Sequence, residues 1–207
     1  MNKAGNYNGY DLMMFPLEKM VLDKYRTTLI ARAGGDVLEI GAGSGANLSY
    51  YDRNRIRSLT VSDLEPETVL ARKTRYFGYS RPVIADISRL PFADSSFDTV
   101  VTSLVLCSVP DLGESIHEIQ RVLKPGGQYI FIEHVASCNT ALRKIQHVVT
   151  PAWKRISGNC HLDRDLVRTI REQGFVVDNL KQSKFCLIAG GVGKKTCSSD
   201  SHTTLSH

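Results

Sequence analysis

The chain of 207 residues has the length of one domain large enough to bury a core. Hydrophobic residues make up 42% and charged residues 23%, which excludes a disordered or fibrous protein. The net charge of +5 is uneven: residues 134–190 hold nine Lys and Arg against four Asp and Glu, which suits an anionic ligand, a membrane surface, nucleic acid or a plain solvated basic face.

No apolar run approaches the roughly 18–20 residues of a membrane span. The polar N-terminus has no basic and apolar leader, so a cytoplasmic protein is expected. Five widely spread cysteines (Cys107, Cys138, Cys160, Cys186 and Cys197) contain no Cys-x-x-Cys pair. This argues against a disulfide scaffold or zinc ribbon and for a reducing compartment.

Residues 1–11 are rich in Gly, Asn and Tyr and predict no regular element. From Leu17 the apolar positions Met20, Val21, Tyr25 and Leu29 follow helical spacing, with Pro16 just before them and Gly34-Gly35 as the stop. Val37-Leu38-Glu39-Ile40 reads as a buried strand ending on glycines, and Leu59–Asp63 as the next strand. A helix is predicted over 66–76, a short strand over 82–86, and a nearly apolar central strand over 97–105. Ile116, Ile119, Val122 and Leu123 form a helical stripe closed by a Lys124-Pro125-Gly126-Gly127 turn, and Gln128–Glu133 is strand five.

Beyond residue 133 the pattern changes. A helix is predicted over Ala141–Val149, followed by an irregular Pro151-Ala152-Trp153 segment. Asp163–Gln173 reads as a helix with Asp163 as N-cap and Gly174 just past its end. The runs Phe175–Leu180 and Phe185–Ala189 are too close for a parallel crossover and predict an antiparallel hairpin. The Ser/Thr/His/Lys-rich stretch 191–207 reads as a disordered tail. The expected architecture is α/β: a Rossmann-like, seven-stranded, mostly parallel sheet with a C-terminal antiparallel hairpin and helices on both faces. Residues 34–190 would form the main domain, with an N-terminal helical lid at 1–33 and a lid insertion at 134–160.

The Glu39-Ile40-Gly41-Ala42-Gly43-Ser44-Gly45-Ala46-Asn47 run, between a strand and an expected helix, allows backbone N–H groups to approach a ligand closely. Gly41-x-Gly43-x-x-Ala46 also satisfies the relaxed dinucleotide fingerprint, and Asp63 suits ribose hydroxyls under either reading. Ala85-Asp86-Ile87 followed by Leu90-Pro91-Phe92-Ala93-Asp94-Ser95-Ser96-Phe97-Asp98 separates the two. Together with the Lys-Pro-Gly-Gly turn and the closing hairpin, this stretch resembles the class I S-adenosylmethionine (SAM) methyltransferases of the small-molecule, type 11 or UbiE-like kind. The resemblance covers about residues 36–133.

The resemblance implies SAM as cofactor and S-adenosylhomocysteine as product. Glu39 and the loop of Gly41, Ala42, Gly43, Gly45 and Asn47 would approach the methionine end. Asp63 would hold the ribose with Leu64 on the adenine, while Asp86 and the Ile87 N–H would read the adenine edge. Ser103 would join the cofactor site from the fourth strand. Asp94 and Asp98 read as turn and strand-start residues.

A second resemblance rests on Tyr10–Lys19, Leu104–Val109, Ile132–Val135 and Pro151–Lys154. These are similar to the family of membrane-associated alkyl-thiol methyltransferases and their soluble bacterial relatives. The long hydrophobic N-terminal segment of the membrane-bound members is not seen, so any membrane contact is expected to be peripheral.

The reaction implied is in-line methyl transfer to a small-molecule acceptor, which asks for alignment and exclusion of water. His134 is the candidate base for a thiol or phenol, and Tyr10, Phe15, Cys107 and Trp153 are candidate acceptor contacts. His147, His161 and Cys160 match no metal-ligand spacing, so no metal is expected. The loop after strand four lacks an Asn-Pro-Pro-Tyr motif, so nucleic acid is not the expected substrate. A quinone or phospholipid-headgroup methyltransferase, a non-catalytic SAM-binding module and a nicotinamide oxidoreductase are the alternatives.

Overall fold

The computed structural model describes residues 20–65, 71, 73–75, 78 and 82–195. Seven strands appear: β1 Gly35–Ile40, β2 Ile56–Asp63, β3 Val83–Ile84, β4 Phe97–Ser103, β5 Leu123–His134, β6 Phe175–Gln182 and β7 Ile188–Lys195. They form one sheet in the order β3-β2-β1-β4-β5-β7-β6. The first five pair in parallel, and β7 lies antiparallel between β5 and β6. The seven-stranded Rossmann-like sheet and its closing hairpin are thus as the sequence predicts.

The helices are α1 over 20–29, α2 (helical at 71 and 73–75), α3 Leu112–Val122, α4 Thr140–Ile156 and α5 Leu166–Glu172. Alternation along each strand sends side chains to two cores. On one face Leu22, Tyr25 and Leu29 of α1 pack with Val37, Val61, Val101 and Ile130. On the other, Ile116 and Ile119 of α3 and Leu166 and Ile170 of α5 pack with Leu38, Val100, Tyr129 and Phe131. Because β1 to β5 are parallel, the carboxyl ends of β1, β2, β4 and β5 share one edge, where open α/β sheets take their ligands.

Several local expectations are corrected. The glycine run is not followed by an α-helix: only eight residues, 48–55, separate Asn47 from β2, and a 3-10 turn at Leu48–Tyr50 occupies that space. Lys124-Pro125-Gly126-Gly127 is an irregularity inside β5 rather than a free turn, because Leu123 already pairs with Phe97. Pro151 withdraws one N–H from α4, yet the helix continues to Ile156. Asp163 does not cap α5; the N-cap is Asp165, and Asp163 instead holds His147 Nδ1 at 2.9 Å.

The expected tail begins too early. Residues 191–195 belong to β7, paired on both sides, with Val192 buried. Glycine serves close packing in this strand: a Cβ on Gly190 would stand 2.7 Å from both Tyr25 Cδ1 and Leu29 Cδ1. The cysteine reading is also corrected, since Cys138 and Cys186 are bonded across 48 residues, with Cα atoms 5.6 Å apart. The bond ties the approach to α4 to the β6–β7 connection, and the cysteine pattern no longer argues for a reducing compartment. Among the described residues no helix is long and apolar enough to cross a membrane.

Candidate active site

At the tip of β1 the chain turns through Gly41 at φ +66°, where a Cβ would lie 2.4 Å from Val105 Cγ2. Only glycine lets the loop after β1 sit this close to the loop after β4. The Ala42 N–H donates to the Ser62 carbonyl at 3.1 Å, and the Gly43 N–H to Asp63 Oδ2 at 2.7 Å. Asp63 Oδ1 accepts from the Glu65 N–H at 3.0 Å. Asp63 is therefore drawn over the glycine loop, and beside it Leu64 is 62% exposed.

Beneath this loop lies Glu39, 1% exposed. Its carboxylate accepts from Asn47 Nδ2 at 2.9 Å and from the Tyr51 hydroxyl at 2.8 Å, while Arg26 Nε donates to Asn47 Oδ1 at 2.9 Å. Burial pushes the Glu39 carboxyl up to about 7, against the pull of those hydrogen bonds. Glu39 and Asn47 thus brace the loop from below. Arg26 and Tyr51, which complete the brace, carry no motif signal in sequence.

Asp86 Oδ1 accepts from the Ser88 N–H and hydroxyl at 2.9 and 2.8 Å, and Ile87 is buried. The following Leu-Pro-Phe segment is clamped by Arg121, which donates to the Leu90 and Phe92 carbonyls and pairs with Asp94 and Glu118. Asp98 accepts from the Asp36 N–H and from Lys124 Nζ. Asp94 and Asp98 are structural, as their positions suggested.

The end of β4 is built differently. Ser103 Oγ is buried and has no hydrogen-bond partner among the described residues. Leu104 adopts a left-handed φ of +59°, a strained state that tends to persist where function requires it. The turn aims three successive N–H groups, of Val105, Leu106 and Cys107, at the buried Glu133 carboxylate, at 3.1–3.2 Å. Thr102 Oγ1 donates to the same carboxylate at 3.0 Å. Burial raises the Glu133 carboxyl, and these donors oppose the rise.

Next to it, His134 Nδ1 lies 3.4 Å from Cys160 Sγ and 3.9 Å from Cys107 Sγ. The two thiols share a hydrogen bond, which pushes Cys107 up and Cys160 down, and the Trp153 side chain leans on Cys160. Three of the expected acceptor-side residues, Cys107, His134 and Trp153, therefore converge. Tyr10 and Phe15 lie outside the described residues. The sequence missed Cys160 as their companion because the cluster joins three separate segments, with no spacing to read. His147 and His161 do not join it.

A positive-φ glycine loop with an acid on the neighbouring strand tip is an arrangement that nucleoside-cofactor domains use. The orphaned Ser103 hydroxyl, the exposed Leu64 and the open space above Gly43, where a Cβ would meet nothing within 4 Å, fit SAM. A separate cleft of about 850 Å³ between α1 and residues 181–184 includes none of these groups.

Residues 38–131 match the methyltransferase-domain family. The chain is 37% identical over 146 residues to rat thiol S-methyltransferase TMT1B, an alignment covering 67% of this chain and 59% of the rat protein. The chain thus spans about three fifths of that relative's length. It is 28% identical over 175 residues to the ubiquinone/menaquinone biosynthesis C-methyltransferase UbiE of Rickettsia bellii, covering 77% and 70% of the two chains. The fold matches the solved structure of the methyltransferase CalH complexed with S-adenosylhomocysteine, at TM-score 0.61 and 20% identity over 89% of this chain and 61% of that one.

Glu39 gives a pH-dependent test. A carboxyl whose folded value is raised from 4.5 to about 7 contributes stability that is complete below 4.5 and lost as pH rises through about 7. Urea unfolding of wild type and Glu39→Gln across this range should show wild type losing on the order of 3 kcal/mol relative to the variant. Parallel stability curves would contradict the assignment.

Proposed function

We propose that the protein is a SAM-dependent methyltransferase acting on a small-molecule thiol. One observation carries the cofactor half: Asp63 at the tip of β2 is folded onto the glycine loop, while the Ser103 hydroxyl at the end of β4 is buried and unpartnered among the described residues. In this reading Asp63 accepts from the ribose hydroxyls, since each of its oxygens keeps a lone pair beyond its backbone N–H. Leu64 covers the adenine, and Asp86 and the Ile87 N–H take its edge. Gly41, Ala42, Gly43 and Gly45 line the methionine end, with Glu39 and Asn47 setting the loop. When bound, SAM supplies an electrophilic methyl on a sulfonium, which an acceptor sulfur takes as the old carbon–sulfur bond breaks.

The acceptor half rests on the convergence of Cys107, His134 and Trp153 beyond β4 and β5, and on the likeness to a thiol S-methyltransferase. His134 is the base proposed to take the acceptor's proton, while Trp153 supplies apolar contact and excludes water. Nucleic acid is not part of the proposal.

The lid helix favours an apolar acceptor met at a lipid surface. On α4 the buried positions include Gln146 and Thr150, while Ile145, Val148, Val149 and Ile156 are exposed, flanked by Arg143, Lys144 and Arg155. An apolar stripe edged with base is the pattern of a helix lying in a membrane interface. Cytoplasmic action stays within the proposal, because the Cys138–Cys186 link has an exposed partner in Cys138 and is open to exchange with thiols there.

Calorimetric titration should give SAM binding that falls at least tenfold in Asp63→Ala, with S-adenosylhomocysteine released on alkyl thiols and not on a quinol precursor. Absence of SAM binding overturns the whole reading, and turnover confined to the quinol overturns the thiol. Flotation with acidic liposomes should carry the wild type and leave Val148→Glu behind; equal flotation contradicts the lid's role.

A further inference from the structure

The cluster beyond β5 has more ligand chemistry than a base needs. Cys107 Sγ, His134 Nδ1 and Cys160 Sγ all lie within 4.8 Å of one another. Two sulfurs and one imidazole nitrogen are the donors favoured by zinc and other borderline-soft divalent cations. Tetrahedral zinc with bonds of about 2.3 Å to sulfur and about 2.05 Å to nitrogen sets its sulfur and nitrogen ligands about 3.6 Å apart. The two separations here, 3.4 and 3.9 Å, bracket that distance.

The segments carrying the ligands are also locked together. The Cys107 carbonyl accepts from the His161 N–H at 2.7 Å, and the Cys107 N–H donates to Glu133. Asn159 Nδ2 donates to the Ser108 carbonyl at 2.8 Å, and Arg164 Nη1 to the Leu106 carbonyl at 2.9 Å. The two cysteine segments are therefore held by hydrogen bonds just outside the cluster, and His134 by its place at the end of β5, where it pairs with Ile188. Cys107 and Cys160 are buried while His134 is partly exposed, which leaves one open side.

We propose that Cys107, His134 and Cys160 form a three-ligand zinc site, each thiol releasing its proton to solvent as its sulfur bonds to the metal, and that the fourth position takes the sulfur of the acceptor. The fourth-position claim rests on the thiol reading above; the metal site itself does not. Three protein ligands with an open position are the arrangement of a reactive rather than a closed structural zinc. The acceptor's S–H bond breaks as its sulfur bonds to the metal, the proton leaves to solvent, and the sulfur keeps the electron pair for the methyl carbon. Its new bond forms as the sulfonium carbon–sulfur bond breaks, that pair staying on the S-adenosylhomocysteine sulfur. His134 then serves as a ligand, which replaces the base role given to it above.

The site predicts an optical signature independent of turnover. Reduced full-length protein titrated with cobalt(II) should bind one equivalent, with strong sulfur-to-cobalt charge transfer in the near ultraviolet. Cys160→Ser and His134→Ala should each bind at least tenfold more weakly, while Cys138→Ser binds as wild type. An alkyl thiol should then alter the visible cobalt bands. Zinc should raise the melting temperature of wild type and not that of Cys160→Ser, which keeps the test readable if a variant folds less well. No charge-transfer band in wild type, or an equal band in Cys160→Ser, overturns the site. Cobalt bands unmoved by thiol overturn the fourth position. SAM binding without metal uptake sinks this inference alone, whereas metal uptake without SAM binding sinks the methyltransferase reading and spares the metal site.

Discussion

A buried carboxylate under each functional loop holds the working edge of this sheet in shape. Glu133 gathers three consecutive N–H groups and the Thr102 hydroxyl, and Glu39 gathers Asn47 and Tyr51. Burying a carboxylate is costly unless its oxygens are satisfied, so each acid tolerates few other placements of the loop above it. The loops cannot drift independently either, because Gly41 of one abuts Val105 of the other. Cys107 and the Asn47 end of the glycine turn inherit their positions from these two acids.

That arrangement explains why so much chemistry sits on irregular backbone. Left-handed Leu104 and the Gly41–Gly45 turn would be liabilities on a freely moving loop, yet each is over-determined by a buried acceptor. The sheet contributes direction, since parallel strands deliver every tip to one side. Likeness of fold alone does not carry an activity; what narrows the chemistry here is an acid folded onto the glycine loop and an orphaned hydroxyl at the end of β4, with sulfur and nitrogen donors gathered at the tips of β4 and β5.

The parallel half of the fold was legible because its strands are short apolar runs separated by strong breaks, such as Gly34-Gly35 and Lys124-Pro125-Gly126-Gly127. Asp63 and Ser103 could be placed at strand ends, and Asp86 just past one, because each follows a short apolar run. Other features were hidden for definite reasons. Gly191 and Gly193 open a stretch whose Ser, Thr, His and Lys content reads as a tail, yet in the folded sheet they leave room for Phe131 and Phe175. Pro151 reads as a helix break although α4 runs through it, and Cys138 and Cys186 carry no spacing motif. The partnership of Cys107, His134 and Cys160 exists only once β4, β5 and the residues after α4 are folded together.

The central claim is that the crevice at the tips of β1, β2 and β4 is a SAM site. It is tested most directly by a crystal structure grown with S-adenosylhomocysteine. The account predicts the ribose hydroxyls on the Asp63 carboxylate, the adenine against Leu64 with its edge at Asp86, and a partner for Ser103 Oγ. A compound bound elsewhere, or a crevice filled by the protein's own side chains, would contradict it.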